Sequence, residues 1–131
     1  TLVRSSAIHD IRSVFKVAPS DFWKDHYTFT TKSRSSSRYL TPKFIDLILI
    51  NTFVPFRFAY ARYKGKDEND LILECMTSIT SEKNQIISKF ERLKKGVSKN
   101  ALHSQALKQL KTKYCDHQGC LNCNLGIAYL K

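Results

Sequence analysis

The chain has 131 residues, which is the usual size of one domain. Its composition, 42% hydrophobic and 25% charged, is that of a globular protein and excludes a disordered or collagen-like chain. The 22 Lys and Arg outnumber the 11 Asp and Glu, and the resulting formal net charge of +11 predicts an anionic partner.

The first third of the chain predicts two short helices and then a basic loop. Ser5 or Ser6 is a suitable cap for the first helix, and Ser20 for the second, after Pro19. Residues 28–41 are rich in Ser and Thr and carry Lys and Arg, which predicts an exposed loop. We expect the aromatic side chains of the second helix, Trp23 and Tyr27, in the core rather than on a base-stacking surface.

The most apolar part of the chain predicts a long central helix. Thr41-Pro42 is a typical helix start, and Gly65 a typical stop. From Phe44 onward the helix is apolar on nearly every side, as expected of the centre of a bundle. Pro55 is predicted to kink or split it, because proline lacks an N–H and its ring clashes with the preceding turn.

We predict that this apolar tract is buried in a protein core rather than in a membrane. Asp46 and Arg57 interrupt it, whereas a membrane helix needs roughly 20 mostly apolar residues. The first 20 residues contain no apolar signal-peptide stretch. We therefore expect a cytoplasmic protein, and Thr1 in place of an initiator Met suggests a fragment or processed piece of a longer chain.

The second half of the chain predicts three more helices. Helical apolar spacing is present in residues 71–79 and 82–95, and Asn100 is a suitable cap for a helix over residues 101–114. No convincing alternating strand pattern occurs. The predicted fold is therefore all-α: a single irregular bundle of about five to seven helices over residues 1–131, with a cysteine-containing turn near its C-terminus.

That turn is a candidate metal site. Cys115, Cys120 and Cys123 have the spacing C-x4-C-x2-C, and Gly119 is expected to supply backbone freedom beside them. Zinc favours four tetrahedral N or S ligands, and similar spacings begin some iron–sulfur sites. We expect zinc, with an iron–sulfur cluster or no metal as alternatives. The fourth ligand stays open among His117, His26, Cys75 or none.

The basic residues fall in two arms around a neutral middle. Residues 1–43 contain 8 basic and 3 acidic side chains, and residues 74–131 contain 10 and 4. On the helix over residues 82–95 the basic side chains lie opposite the apolar positions, which include Leu93. We predict contacts to a DNA or RNA backbone from Arg34, Arg38, Lys89, Arg92, Lys95, Lys108 and Lys111.

The sequence contains no catalytic constellation. It has no glycine-rich phosphate loop, no H-E-x-x-H and no G-x-S-x-G. We therefore expect a nucleic-acid-binding module with no enzymatic activity of its own. The alternative is a structural or protein-interaction domain without nucleic-acid contact.

Five ordered motifs carry a family resemblance: DFWKDHYTF at 21–29, LINTFVPFRFAY at 49–60, EKNQIISKF at 82–90, NALHSQALKQLK at 100–111 and KYCDHQGCLNCNLG at 113–126. Together they resemble the carboxy-terminal part of a bacterial domain-of-unknown-function family, number 2851. The upstream part of such proteins has acidic motifs reminiscent of restriction-endonuclease-like folds. The resemblance implies that this chain is a basic, helical tail that positions nucleic acid for that upstream domain.

Overall fold

The computed structural model describes residues 8–130, apart from the side chains of Ile8 and His9. The chain divides between Asp67 and Glu68 into two compact units, each described by itself below. Ser5 and Ser6, the predicted caps of the first helix, lie outside the described residues. The single domain over residues 1–131 stays a prediction.

The described residues form seven helices and no strand, which confirms the predicted all-α class. Their bounds are α1 Ile8–Val14, α2 Asp21–Lys24, α3 Pro42–Tyr63, α4 Asn69–Ser78, α5 Gln85–Leu93, α6 residues 101–114, and α7 Asn124–Leu130. Two 3-10 turns, Cys115–His117 and Cys120–Asn122, lie between α6 and α7.

In the first unit, an ion pair connects α1 to the start of α3. The Arg12 guanidinium donates through Nε and Nη2 to Asp46 Oδ1, at 2.9 and 2.7 Å. Ile11 is buried on α1, as are Ile45 and Leu49 on α3. The carboxylate of Asp46 is therefore occupied by a structural contact between two helices.

α3 begins where the sequence predicts and passes Pro55 without a break. The Thr41 hydroxyl accepts from the Phe44 N–H at 3.2 Å, and Pro42 takes the first helical position. Leu49–Phe53 form a π turn, in which the Val54 N–H donates to the Leu49 carbonyl five residues back. The wider turn accommodates the proline ring that a regular α-helix would exclude.

The end of α3 is closed by a Schellman motif. The Lys66 N–H donates to the Ala61 carbonyl at 2.9 Å, and the Gly65 N–H to the Arg62 carbonyl at 3.0 Å. Gly65 has a φ of +64°, which a glycine adopts without steric cost. The predicted stop is confirmed.

The prediction that α3 is buried on nearly every side is wrong. Ile45, Leu49, Ile50, Val54 and Ala61 are buried, but several large apolar side chains are exposed: Phe44, Leu47, Phe56, Phe58, Tyr60 and Tyr63. By length and composition alone α3 could cross a membrane, a property that core helices of soluble proteins share.

In the second unit, α4 and α5 both pack against α6. The Ala101 N–H donates to the Ile79 carbonyl at 2.9 Å, and both residues are buried. Asn84 caps α5 by accepting from the Ile87 N–H, so the helix starts later than predicted. It also ends earlier: Leu93 is its last residue and is exposed, so the prediction that Leu93 packs inside is wrong.

Candidate nucleic-acid interface

The exposed side of α5 carries a polar and basic stripe. Gln85, Ser88, Lys89 and Arg92 follow one another at helical spacing, and all four are exposed. Together with Lys83 and Asn84 they line an open groove of about 420 Å³. Sequence reasoning missed Lys83, because the helix was expected to begin before it rather than after the Asn84 cap.

The predicted cations of this stripe have no carboxylate partner in the described part of the chain. Lys89 and Arg92 lie on α5, whereas Lys95 lies in the turn that follows it. None of the three forms a salt bridge among residues 8–130. Their charges are therefore available to an external anion.

Glu91 is the acidic residue of α5, and its carboxylate is bound by the backbone of the following turn. The N–H groups of Ser98 and Gly96 donate to its two oxygens, each at 2.8 Å. These hydrogen bonds from Ser98 and Gly96 lower the pKa of Glu91. Glu91 thus stabilises the turn that carries Lys95.

The predicted cations of α6 are paired instead. Lys108 Nζ lies 3.5 Å from Glu82 Oε2, and Lys111 Nζ contacts Asp116 Oδ1. The Glu82 side chain is only 8% exposed, and it also accepts from Gln105 Nε2 at 2.7 Å. An anion bound at α6 would compete with these carboxylates.

The two predicted arginines of the first unit differ from each other. Arg34 is exposed and forms no ion pair within the described residues. The Arg38 guanidinium lies 3.6 Å from the centroid of the Tyr27 ring and donates to Ser33 Oγ at 2.6 Å. Arg34 is free for an anion, while Arg38 is held against an aromatic ring.

The three C-terminal cysteines occupy successive turns. Cys115 and Cys120 are exposed, Cys123 is buried, and all are free thiols. Within residues 8–130, no three His, Cys, Asp or Glu side chains come together in a group that could hold a metal ion. The metal at these cysteines stays a prediction.

The residues predicted as possible fourth ligands belong to three different elements. His26, in the first unit, has its Nδ1 2.7 Å from Asp25 Oδ1 and 3.0 Å from the Phe22 carbonyl. His117 is exposed in the turn after α6, and Cys75 is half-buried on α4.

Backbone geometry in these turns differs from expectation at one residue. Gln118, not Gly119, takes the left-handed conformation, with a φ of 52°, whereas Gly119 has a φ of −80°. Gly126 in α7 has the tighter surroundings, since a Cβ there would lie 2.2 Å from the Cys120 carbonyl oxygen. An isolated Gly in an apolar helical stretch was the available signal of that close approach.

Comparison with known proteins gives a family and no further relative. No curated protein matches the chain, and no solved structure does. The motifs at 100–111 and 113–126 lie beyond the range that the family model covers. That model matches residues 1–85, and the chain belongs to the family described as "Protein of unknown function (DUF2851)".

Proposed function

We propose that the chain is a nucleic-acid-binding module that contacts the phosphate backbone through α5 and the turn after it. The observation that carries this proposal is the set of exposed, unpaired cations Lys89, Arg92 and Lys95 beside an open polar groove. Glu91, the acid within this segment, is already bound by backbone N–H groups. Residues 83–95 therefore keep a positive net charge, with five Lys and Arg against the single Glu91.

The chemistry of the groove suits phosphate oxygens. A guanidinium such as that of Arg92 offers a planar fork of donors to phosphate, and Lys89 a mobile point charge. Ser88 and Gln85 add neutral hydrogen-bond donors between the cations. Contacts of this kind position a protein on a nucleic acid without reading its sequence, so we expect weak sequence preference.

The test is a titration of a fluorescently labelled duplex at several salt concentrations. If about five phosphates are neutralised, a plot of log binding constant against log salt concentration should have a slope of about −4.5. The triple variant Lys89→Ala, Arg92→Ala, Lys95→Ala should flatten the slope by up to about 3 and weaken all sequences alike.

A charge-matched variant provides the control. Lys16, Lys64 and Lys66 are exposed lysines of the first unit that form no salt bridge among the described residues. Replacing these three with Ala removes the same charge from a different surface, so we expect a smaller change of slope. Equal slopes for the two triple variants would overturn the assignment to α5, and absence of duplex binding at low salt would overturn the function.

The exposed side chains of α3 favour a second candidate, a protein-interaction domain. Phe44, Phe56 and Tyr63 are 51%, 56% and 80% exposed, although large aromatic side chains are usually buried. Large exposed apolar patches commonly mark interaction surfaces. A protein that binds no nucleic acid, but whose self-association or partner binding is lost in Phe56→Ser, would favour this candidate.

A further inference from the structure

Two aromatic rings in the loop after α2 are exposed to solvent. Tyr27 is 75% exposed and Phe29 is 79% exposed. The prediction that Tyr27 belongs to the core is therefore wrong. Rings left in water do not gain the stabilisation that burial of an aromatic side chain provides, so their faces can stabilise a ligand that covers them.

Both rings are supported by neighbouring side chains. The centroid of the Phe29 ring lies 5.2 Å from Trp23 and 6.1 Å from Phe22, which are residues of α2. Arg38 stacks over the Tyr27 ring, and its Nε also donates to the Lys24 carbonyl at 3.3 Å. Each ring therefore has one supported side and a large surface that remains accessible.

The loop that carries the rings is fixed to α2 by backbone hydrogen bonds. The Ser33 N–H donates to the Asp25 carbonyl at 2.7 Å, and the Ser36 N–H to the Lys24 carbonyl at 3.0 Å. An isolated antiparallel bridge joins His26 to Lys32. The two rings are thus held in place before any ligand binds, which lowers the entropy cost of binding.

The surroundings of the rings are positively charged. Residues 26–45 contain Lys32, Arg34, Arg38 and Lys43 and no Asp or Glu. Asp25, at the edge of this stretch, contacts His26 at 2.7 Å and Lys32 at 3.7 Å. Exposed aromatic rings beside exposed cations such as Arg34 suit single-stranded nucleic acids, because bases stack on rings while cations neutralise phosphates.

We propose that Tyr27 and Phe29 form a stacking surface for the unpaired bases of a single-stranded nucleic acid, with Arg34 at its phosphates. This proposal rests on the proposed nucleic-acid function. It adds that the first unit binds single strands, a preference that the contacts of α5 do not determine. Bases in a duplex are already stacked on each other, so this surface selects single strands.

Trp23 gives an intrinsic probe of this surface. It is the single tryptophan of the chain, and its ring lies 5.2 Å from Phe29. A 12-nucleotide thymidine oligonucleotide should quench Trp23 fluorescence in a saturable manner, whereas a 12-base-pair duplex at the same concentration should not. Absence of quenching at saturating oligonucleotide would overturn the proposal.

Substitution of the rings tests their role. We expect Tyr27→Ala and Phe29→Ala each to weaken binding of the labelled thymidine oligonucleotide at least about fivefold, and to change duplex affinity less than about twofold. The matched control is Tyr129→Ala in the second unit, where the ring is 88% exposed, and it should change neither. Unchanged single-strand affinity in both loop variants would overturn the proposal.

Further variants separate stacking from folding and from the α5 site. Tyr27→Phe keeps a stacking ring and should bind like the wild type, whereas Phe29→Leu keeps apolar bulk but should bind weakly. If Phe29→Leu binds like the wild type, or if polyglutamate competes as well as the oligonucleotide, stacking is excluded. Loss of duplex binding in the α5 triple variant with Trp23 quenching retained supports both proposals. If the α5 triple variant binds the duplex like the wild type, only the assignment of duplex binding to α5 is overturned.

Discussion

At the scale of single residues, Gly126 sets how closely α7 lies on the turn before it. A Cβ at this position would be 2.2 Å from the Cys120 carbonyl oxygen and 2.9 Å from the Cys120 Cα, and both atoms belong to the backbone. Helix propensity alone makes Gly→Ala stabilising by up to about 1 kcal/mol. Here we expect the opposite sign, because the clash forces α7 away: Gly126→Ala should lower the free energy of unfolding by about 1–3 kcal/mol.

Denaturant unfolding measures this effect, and Ala128→Gly is its control. Ala128 is exposed on the same helix, so its replacement should lower stability by about 0.5–1 kcal/mol through propensity alone. An increase of stability in Gly126→Ala would show that the close approach to Cys120 does not exist.

Glu91 makes stability depend on pH on the acid side. Its folded-state pKa lies below the ordinary value of 4.5, because the Ser98 and Gly96 N–H groups bind the charged form. A carboxylate with a lowered pKa stabilises the fold fully above its ordinary pKa, and this stabilisation is lost as pH falls through the lowered value. We therefore expect the wild type to be more stable than Glu91→Gln at pH 7, with a difference that shrinks below about pH 4.5.

Urea unfolding of the wild type and Glu91→Gln between pH 3 and pH 7 tests this dependence. A difference that stays constant across the whole range would mean that the carboxylate charge has no part in holding the turn after α5. The turn matters for the proposed function because it carries Lys95.

At the scale of helices, side-chain caps define where two elements of the second unit begin. Asn84 accepts from the Ile87 N–H, and Asn100 from the His103 N–H, each at 3.0 Å. Asn84→Ala and Asn100→Ala should each lower the free energy of unfolding by about 1 kcal/mol. Ser20 occupies the cap position of α2 without a side-chain cap bond, so Ser20→Ala should have little effect.

Thermal unfolding followed by circular dichroism distinguishes the cap variants. An equal loss for Ser20→Ala and for the two Asn variants would show that cap hydrogen bonds do not account for the effect.

Three helix ends with clear capping signals were predicted correctly, whereas both ends of α5 were not. Thr41-Pro42, Gly65 and Asn100 were identified correctly, because capping depends on residues adjacent in sequence. The predicted split at Pro55 does not occur, because a π turn accommodates the proline, and whether a helix uses a break, a kink or a π turn depends on which side chains are buried around it. The prediction that Leu93 is buried was wrong because α5 ends at this residue, so helical spacing no longer decides which way its side chain faces.

At the scale of the whole molecule, the net charge was predictable, but which basic side chains lack an ion-pair partner was not. The value of +11 follows from composition, whereas the pairing of Lys108 with Glu82 joins residues 26 positions apart. The same holds for Arg12 and Asp46, which are 34 positions apart. The sequence named seven candidate cations, and only the fold separates the unpaired ones on α5 from the paired ones on α6. The predicted metal, cytoplasmic location and upstream nuclease-like domain stay predictions.

The most direct measurement is a chemical-shift titration of the ¹⁵N-labelled protein with an unlabelled 12-base-pair duplex at two salt concentrations. The account predicts that the largest amide shifts occur in residues 83–95, that they saturate, and that they decrease at higher salt as phosphate contacts weaken. Shifts that are absent, or that are confined to other parts of the chain, would contradict the assignment of nucleic-acid binding to α5.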